Sequence, residues 1–149
     1  MKILASKSIY WMFALKIIGR NEIANWADSL ILNGFNDEIL FDLSTCSQMD
    51  DNEVMSNVKL INYENSKETI AKELLNSLRE FYLNIDNRKL VNLSMLSDFE
   101  RIDDLGSDIR YNLAWLVDDL ILQRKGIKVF SKSESDSILE EIDKMLKVY

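Results

Sequence analysis

The chain has 149 residues, 47% of them hydrophobic and 29% charged, enough for one globular domain whose core needs neither metal nor disulfide. With 18 basic against 25 acidic side chains the net charge is -7, which excludes the positive field that non-specific nucleic-acid or anionic-membrane binding requires and makes a basic protein the natural complement. Histidine is absent, so Ser-His and Cys-His nucleophilic pairs, most catalytic zinc sites and the Glu-x-x-His di-metal motif of helical bundles are excluded as well.

The stretch from Ile9 to Leu15 is seven apolar residues in a row. It is too short to span a bilayer, and the Lys16, isoleucines and Arg20 that follow it carry no small-residue cleavage pattern of an export signal. It reads as a helix over about Ser8 to Ile18, nearly apolar all round and therefore central in a bundle. Asn21 is expected to cap a second helix carrying Ile23, Trp26, Ala27, Leu30 and Ile31, which completes a helical hairpin. Asn36 then offers a cap ahead of Asp37, Glu38, Ile39, Leu40 and Leu43, and Asp50 with Glu53 a capping box for the next helix.

Ser66 is expected to cap a strongly amphipathic helix with Ile70, Leu74, Leu78, Phe81 and Ile85 on one face, interrupted near Asn84. The pattern resumes at Leu90, Val91, Leu93, Leu96 and Phe99. Ser107 is expected to cap a long helix to Lys125, and the Ser131/Glu134 and Ser133/Asp136 pairs open a terminal helix with Ile138, Ile142, Met145 and Leu146. No proline and only four glycines occur, too little turn chemistry for an all-β fold. Gly19, Gly34, Gly106 and Gly126 each follow a helical pattern, as residues just past a helix end do when they adopt the left-handed conformation. The chain therefore reads as all-α, a single-domain bundle of about seven to eight helices over residues 1–149. Two segments, Val58 to Tyr63 and Ile127 to Phe130, read as connectors with short strands as the alternative.

Candidate chemistry is sparse. Cys46 is the only cysteine; it excludes an internal disulfide, fits a reducing compartment, and has no base nearby in sequence to lower its pKa. Asp118 and Asp119 are the best carboxylate pair for acid-base or magnesium chemistry, yet neighbours on a helix diverge by ~100° and need partners from elsewhere to converge on one ion. No catalytic residue, metal or cofactor is assigned.

The negative charge is concentrated. Residues 36–57 hold six acids (Asp37, Glu38, Asp42, Asp50, Asp51, Glu53) and no base, and residues 98–119 hold seven acids against Arg101 and Arg110. On the long helix Ile109, Leu113, Leu116, Val117, Leu120 and Ile121 form a core stripe. The opposite half gathers Asp108, Tyr111, Asn112, Trp115, Asp118 and Asp119. Two readings stand: the aromatics anchor a basic partner while the carboxylates steer it in, or Tyr111 and Trp115 pack against another helix and the acids cap, pair or face water.

The segments "NEIANWADSLI" from Asn21 and "LSMLSDFERIDDLGSDIRYNLAWLVDDLIL" from Leu93 resemble small helical bacterial immunity proteins of contact-dependent growth inhibition and related polymorphic toxin systems. The likeness is carried by Trp26-Ala27-Asp28 after a first apolar helix and by Asp98-Phe99-Glu100 in a late acidic, aromatic segment. It implies a cytoplasmic, non-enzymatic protein that neutralises the C-terminal domain of a cognate toxin, often a nuclease with a basic surface. Neither nucleic acid nor membrane is an expected partner, and oligomeric state is left open. The expected contact residues are Asp98, Glu100, Asp103, Asp104 and Asp108 for steering, with Tyr111, Trp115, Asp118 and Asp119 at the contact centre. The alternatives are a helical adaptor or self-associating subunit, and a carboxylate metal enzyme.

Overall fold

The computed structural model describes residues 2–90, 93–126 and 133–148. Among them the chain forms eight α-helices and no strand, in agreement with the all-α reading. None of these helices is long and apolar enough to cross a membrane. Of the two segments read as connectors, Val58 to Leu60 closes a helix and the following residues are a true connector; Ile127 to Phe130 lies outside the described residues, as does Ser131. The packing groups the chain into two compact units, Met1–Ser66 and Lys67–Tyr149.

The first unit contains α1 (Ser6–Ala14), α2 (Arg20–Leu32), α3 (Glu38–Ser44), a short 3-10 turn (Cys46–Gln48) and α4 (Asp51–Leu60). Helix α1 packs chiefly on α4 and α2 on α3. Ile9, Met12, Ile23, Trp26, Leu30, Leu40, Leu43, Val54 and Val58 form its core. Two reciprocal bonds hold the start of α1 to the segment that follows α4: the Ser6 amide donates to the Tyr63 carbonyl at 2.7 Å and the Tyr63 amide donates to Ser6 Oγ at 3.1 Å. The buried Trp26 indole donates to the Leu4 carbonyl at 2.9 Å, so its N–H is satisfied where the ring is dry.

Helix α1 is shorter than its apolar run. It ends at Ala14 because the chain reverses there through a Schellman arrangement, in which the Ile17 amide donates to the Met12 carbonyl at 2.9 Å and the Lys16 amide to the Phe13 carbonyl at 3.0 Å. The residue that takes the left-handed conformation is Lys16, with φ 62°, not Gly19. Gly19 is extended (φ -111°) and precedes α2; its amide donates to Glu22 Oε2 at 2.8 Å. Gly106 likewise precedes α7 in an extended conformation. Gly34 and Gly126, with φ 96° and 72°, do follow helix ends in the left-handed region. The caps shift accordingly: α2 begins after Gly19 rather than Asn21, α3 after Asp37 rather than Asn36, and Ser107 is the first residue of α7 rather than its cap. Asp50 and Ser133 cap α4 and α8 as expected, accepting from the Glu53 and Asp136 amides.

Arg20 is the central polar tie of this unit. Its guanidinium donates to the Cys46 carbonyl at 3.0 Å and to the Met49 carbonyl, and pairs with Asp51 at 2.5 Å. One side chain thus fastens the start of α2 to the 3-10 turn and to the start of α4. Cys46 is buried beneath it.

The second unit contains α5 (Lys67–Leu83), a 3-10 segment (Ile85–Leu90), α6 (Leu93–Glu100), α7 (Ser107–Arg124) and α8 (Glu134–Leu146). Helix α5 starts just after Ser66 and buries Ile70, Leu74, Leu78 and Tyr82; Phe81, expected inside, is half-buried, because steps of four residues carry the stripe to Tyr82. Helix α8 buries Ile138, Ile142 and Met145, and Arg79 of α5 donates to Asp143 of α8 at 2.7 Å. Helices α6 and α7 form the most closely packed pair of the unit.

Two stability effects follow. Arg20→Ala should lower the unfolding free energy by about 1–3 kcal/mol, the usual worth of charge-assisted hydrogen bonds to groups left unpaired. Lys16→Gly should raise it by roughly 0.5–1 kcal/mol, as relief of left-handed strain outweighs the added freedom of the unfolded chain. Chemical denaturation of both variants tests the two signs.

Candidate functional site

The long helix α7 is sorted by a single rotation rule. Ile109, Leu113, Leu116, Val117 and Leu120 are buried and Ile121 half-buried, as the core stripe requires. Counting ~100° per residue from Trp115, the positions of Asp108, Tyr111, Asn112, Asp118, Asp119 and Leu122 all fall within about 60° of it. That stripe faces out: Tyr111 is 63% and Trp115 54% exposed, Asp108, Asn112 and Asp118 are exposed, and Asp119 and Leu122 half-buried. Tyr111 and Trp115 are not packed beneath another helix. They meet each other, ring centroids 6.1 Å apart at 70°, an edge-to-face contact across one helical turn.

The α6–α7 connection places the remaining candidates. Phe99, Ile102 and Leu105 are buried and draw the connection onto the core at both ends. Between the latter two, Asp103 projects almost fully into solvent, 95% exposed, and Asp104 is half-buried. Asp98 is exposed and Glu100 half-buried. Arg110 organises this corner: its Nε donates to the Glu100 carbonyl at 2.8 Å, capping the end of α6, and its guanidinium lies 3.7 Å from Asp103. In the sequence Arg110 stands only as a charge offset within an acidic run; its role with Ile102 and Leu105 in positioning the corner comes from the fold. The one available signal was the apolar i, i+3 spacing of Ile102 and Leu105 inside an otherwise acidic run.

The nine candidate residues therefore lie along one helical hairpin of the second unit, in two groups: Asp98, Glu100, Asp103 and Asp104 around the α6 end and connection, and Asp108, Tyr111, Trp115, Asp118 and Asp119 along the outer stripe of α7. Their carboxylates are not equivalent. Asp103 has Arg110, whereas Asp108 and Asp118 have no ion pair among the described residues. The other arginine of α7, Arg124, is held by Glu134 of α8 at 2.5 Å, and that hydrogen bond raises the guanidinium pKa further. No base of α7 is turned toward the outer stripe's unpaired acids.

The other acidic block, in the first unit, is put to more structural use. Asp37 and Asp50 cap α3 and α4 and Asp51 pairs with Arg20, leaving Glu38, Asp42 and Glu53 exposed without an ion pair among the described residues. Trp26 and Ala27 of the "WAD" segment are core residues and only Asp28 is exposed. Among the described residues no three Asp, Glu, Cys or His side chains are grouped to hold a metal ion. No protein-family model, curated protein or solved structure matches the chain.

Because the outer stripe is not part of the core, Tyr111→Ala and Trp115→Ala should each change unfolding free energy by less than ~1 kcal/mol. Leu113→Ala, on the buried stripe of the same helix, should cost about 2–5 kcal/mol. Urea denaturation of the three variants measures the difference.

Proposed function

We propose that the chain is an immunity-type inhibitor that binds a basic toxin domain, a nuclease by preference, through the outer face of the α6–α7 hairpin. The observation that carries this reading is the exposed Tyr111–Trp115 pair flanked by Asp108 and Asp118, which have no ion pair among the described residues. Exposed neighbouring aromatics are the residue types that dominate interface energetics once desolvated. The surrounding acids at Asp98, Asp103, Asp108 and Asp118 provide the field that attracts a positive partner and disfavours an acidic one. A nuclease presents such a positive surface to its substrate, and an acidic face laid on it competes with nucleic acid. The resemblance of the Asn21 and Leu93 segments to bacterial immunity proteins points the same way.

Self-association through this face is the weaker reading. An isologous contact sets each patch against its own copy, bringing Asp118 and Asp108 of both copies together without an intervening base.

The test begins with capture from native host lysate at low and high salt, followed by a nuclease assay of what is captured. Recovery of a basic domain, released by salt and inhibited in RNA or DNA cleavage when the protein is added back, supports the proposal. Recovery of the chain alone, or of proteins whose activity it leaves unchanged, overturns it in favour of a self-associating or adaptor role. With the partner in hand, Asp103→Lys combined with Asp104→Lys should slow association by about tenfold at low salt and flatten its salt dependence. Trp115→Ala should leave association within about threefold and speed dissociation by about tenfold or more. Surface plasmon resonance at several ionic strengths separates the two effects.

A further inference from the structure

The arrangement of the outer stripe of α7 specifies the partner more narrowly than positive charge does. Asp108 lies one turn before Tyr111 and Asp118 one turn after Trp115, so carboxylates bracket the aromatic pair at steps of about 4.5 Å along the axis. The two rings already touch each other edge to face, which limits the side-chain freedom that a partner's arrival has to remove. The pair is more than half exposed at both residues, and Asp108 and Asp118 have no ion pair among the described residues.

We infer that this face takes arginine in preference to lysine: a partner's guanidinium lies against the Tyr111–Trp115 pair while its N–H edge reaches Asp108 or Asp118. This rests on the basic-partner reading above and names the side chain through which that partner is held. A guanidinium is planar, weakly hydrated and able to stack on an aromatic face while its N–H edge donates to a carboxylate. An ammonium is compact and strongly hydrated; to sit on the rings it gives up water that one flanking carboxylate does not replace. At long range the acids attract both cations alike, since both carry one charge. The aromatic pair between the acids is what separates them.

The test uses the whole protein and two peptides of equal length and charge, each with four cationic residues spaced by glycine and serine, one carrying arginine and the other lysine. Binding is read at the Trp115 indole N–H by NMR, its signal assigned as the one lost in Trp115→Leu. The expected result is a dissociation constant at that reporter at least about fivefold lower for the arginine peptide. In the Tyr111→Leu/Trp115→Leu double variant, read at the Asp118 and Asp119 amides, the ratio should fall to about one. Both positions are exposed, so the double variant folds on the intact core stripe, which its amide spectrum checks. Equal constants for the two peptides in the parent protein, with both weakened by Asp108→Asn and Asp118→Asn, would overturn the arginine inference while leaving a basic-partner face in place. A preference that survives in the double variant would overturn it too, since the rings would not be its source. If neither peptide moves the Trp115 signal, both the inference and the assignment of this face as the contact surface fall.

Discussion

Burial of one stripe of α7 decides the character of the rest of its surface. Once Ile109, Leu113, Leu116, Val117 and Leu120 are committed to the core, the helical rotation leaves Tyr111 and Trp115 no inward direction. Most helices resolve that geometry by placing polar residues on the outer side. Helix α7 instead carries its two aromatics there, among acids and with a half-buried Leu122 in line. An exposed aromatic pair contributes little to folding, which is why the proposed contact surface is placed on it.

Polar groups are used differently in the two units. In the first, half of the acidic block has a structural partner: Asp37 and Asp50 satisfy helix-start amides and Asp51 neutralises Arg20. Arg20 in turn supplies donors to the carbonyls of Cys46 and Met49, which lie where a helix, a 3-10 turn and the next helix change direction and where no regular ladder is available. In the second unit three of the five arginines join elements, Arg79 to α8, Arg110 to the end of α6 and Arg124 to α8. Asp108 and Asp118 of the outer stripe have no ion pair among the described residues. Local charge density alone does not distinguish the two blocks; what each carboxylate touches does.

The helical class, the core stripe of α7, the amphipathic α5 and the caps at Asp50 and Ser133 were legible because they depend on spacing within one segment. The helix ends were less so. Gly19 and Gly106 look like stops, yet a glycine after an apolar run serves equally well as an extended residue before the next helix, and the left-handed turn after α1 falls on Lys16, for which composition gives no warning. The direction faced by Tyr111 and Trp115 was legible as a shared side of α7 but not as an exposed one. Whether a second side of a helix is covered depends on how many neighbours pack around it, a tertiary property that periodicity does not encode. Ile102 and Leu105 are hard to read for a related reason: their i, i+3 spacing lies in a turn, outside any helix that would fix which way it faces.

The separation of α7 into a buried stripe and an outer stripe has an evolutionary consequence. Substitutions along Asp108, Tyr111, Trp115 and Asp118 remove no core contact, so under the proposed function drift there is filtered by recognition and hardly at all by foldability. A lineage built on this hairpin can exchange one partner for another through a few outward-facing codons while the helices beneath stay in register. The same freedom means that relatedness among such proteins is better traced in their inward-facing residues than in the surfaces that give each its specificity.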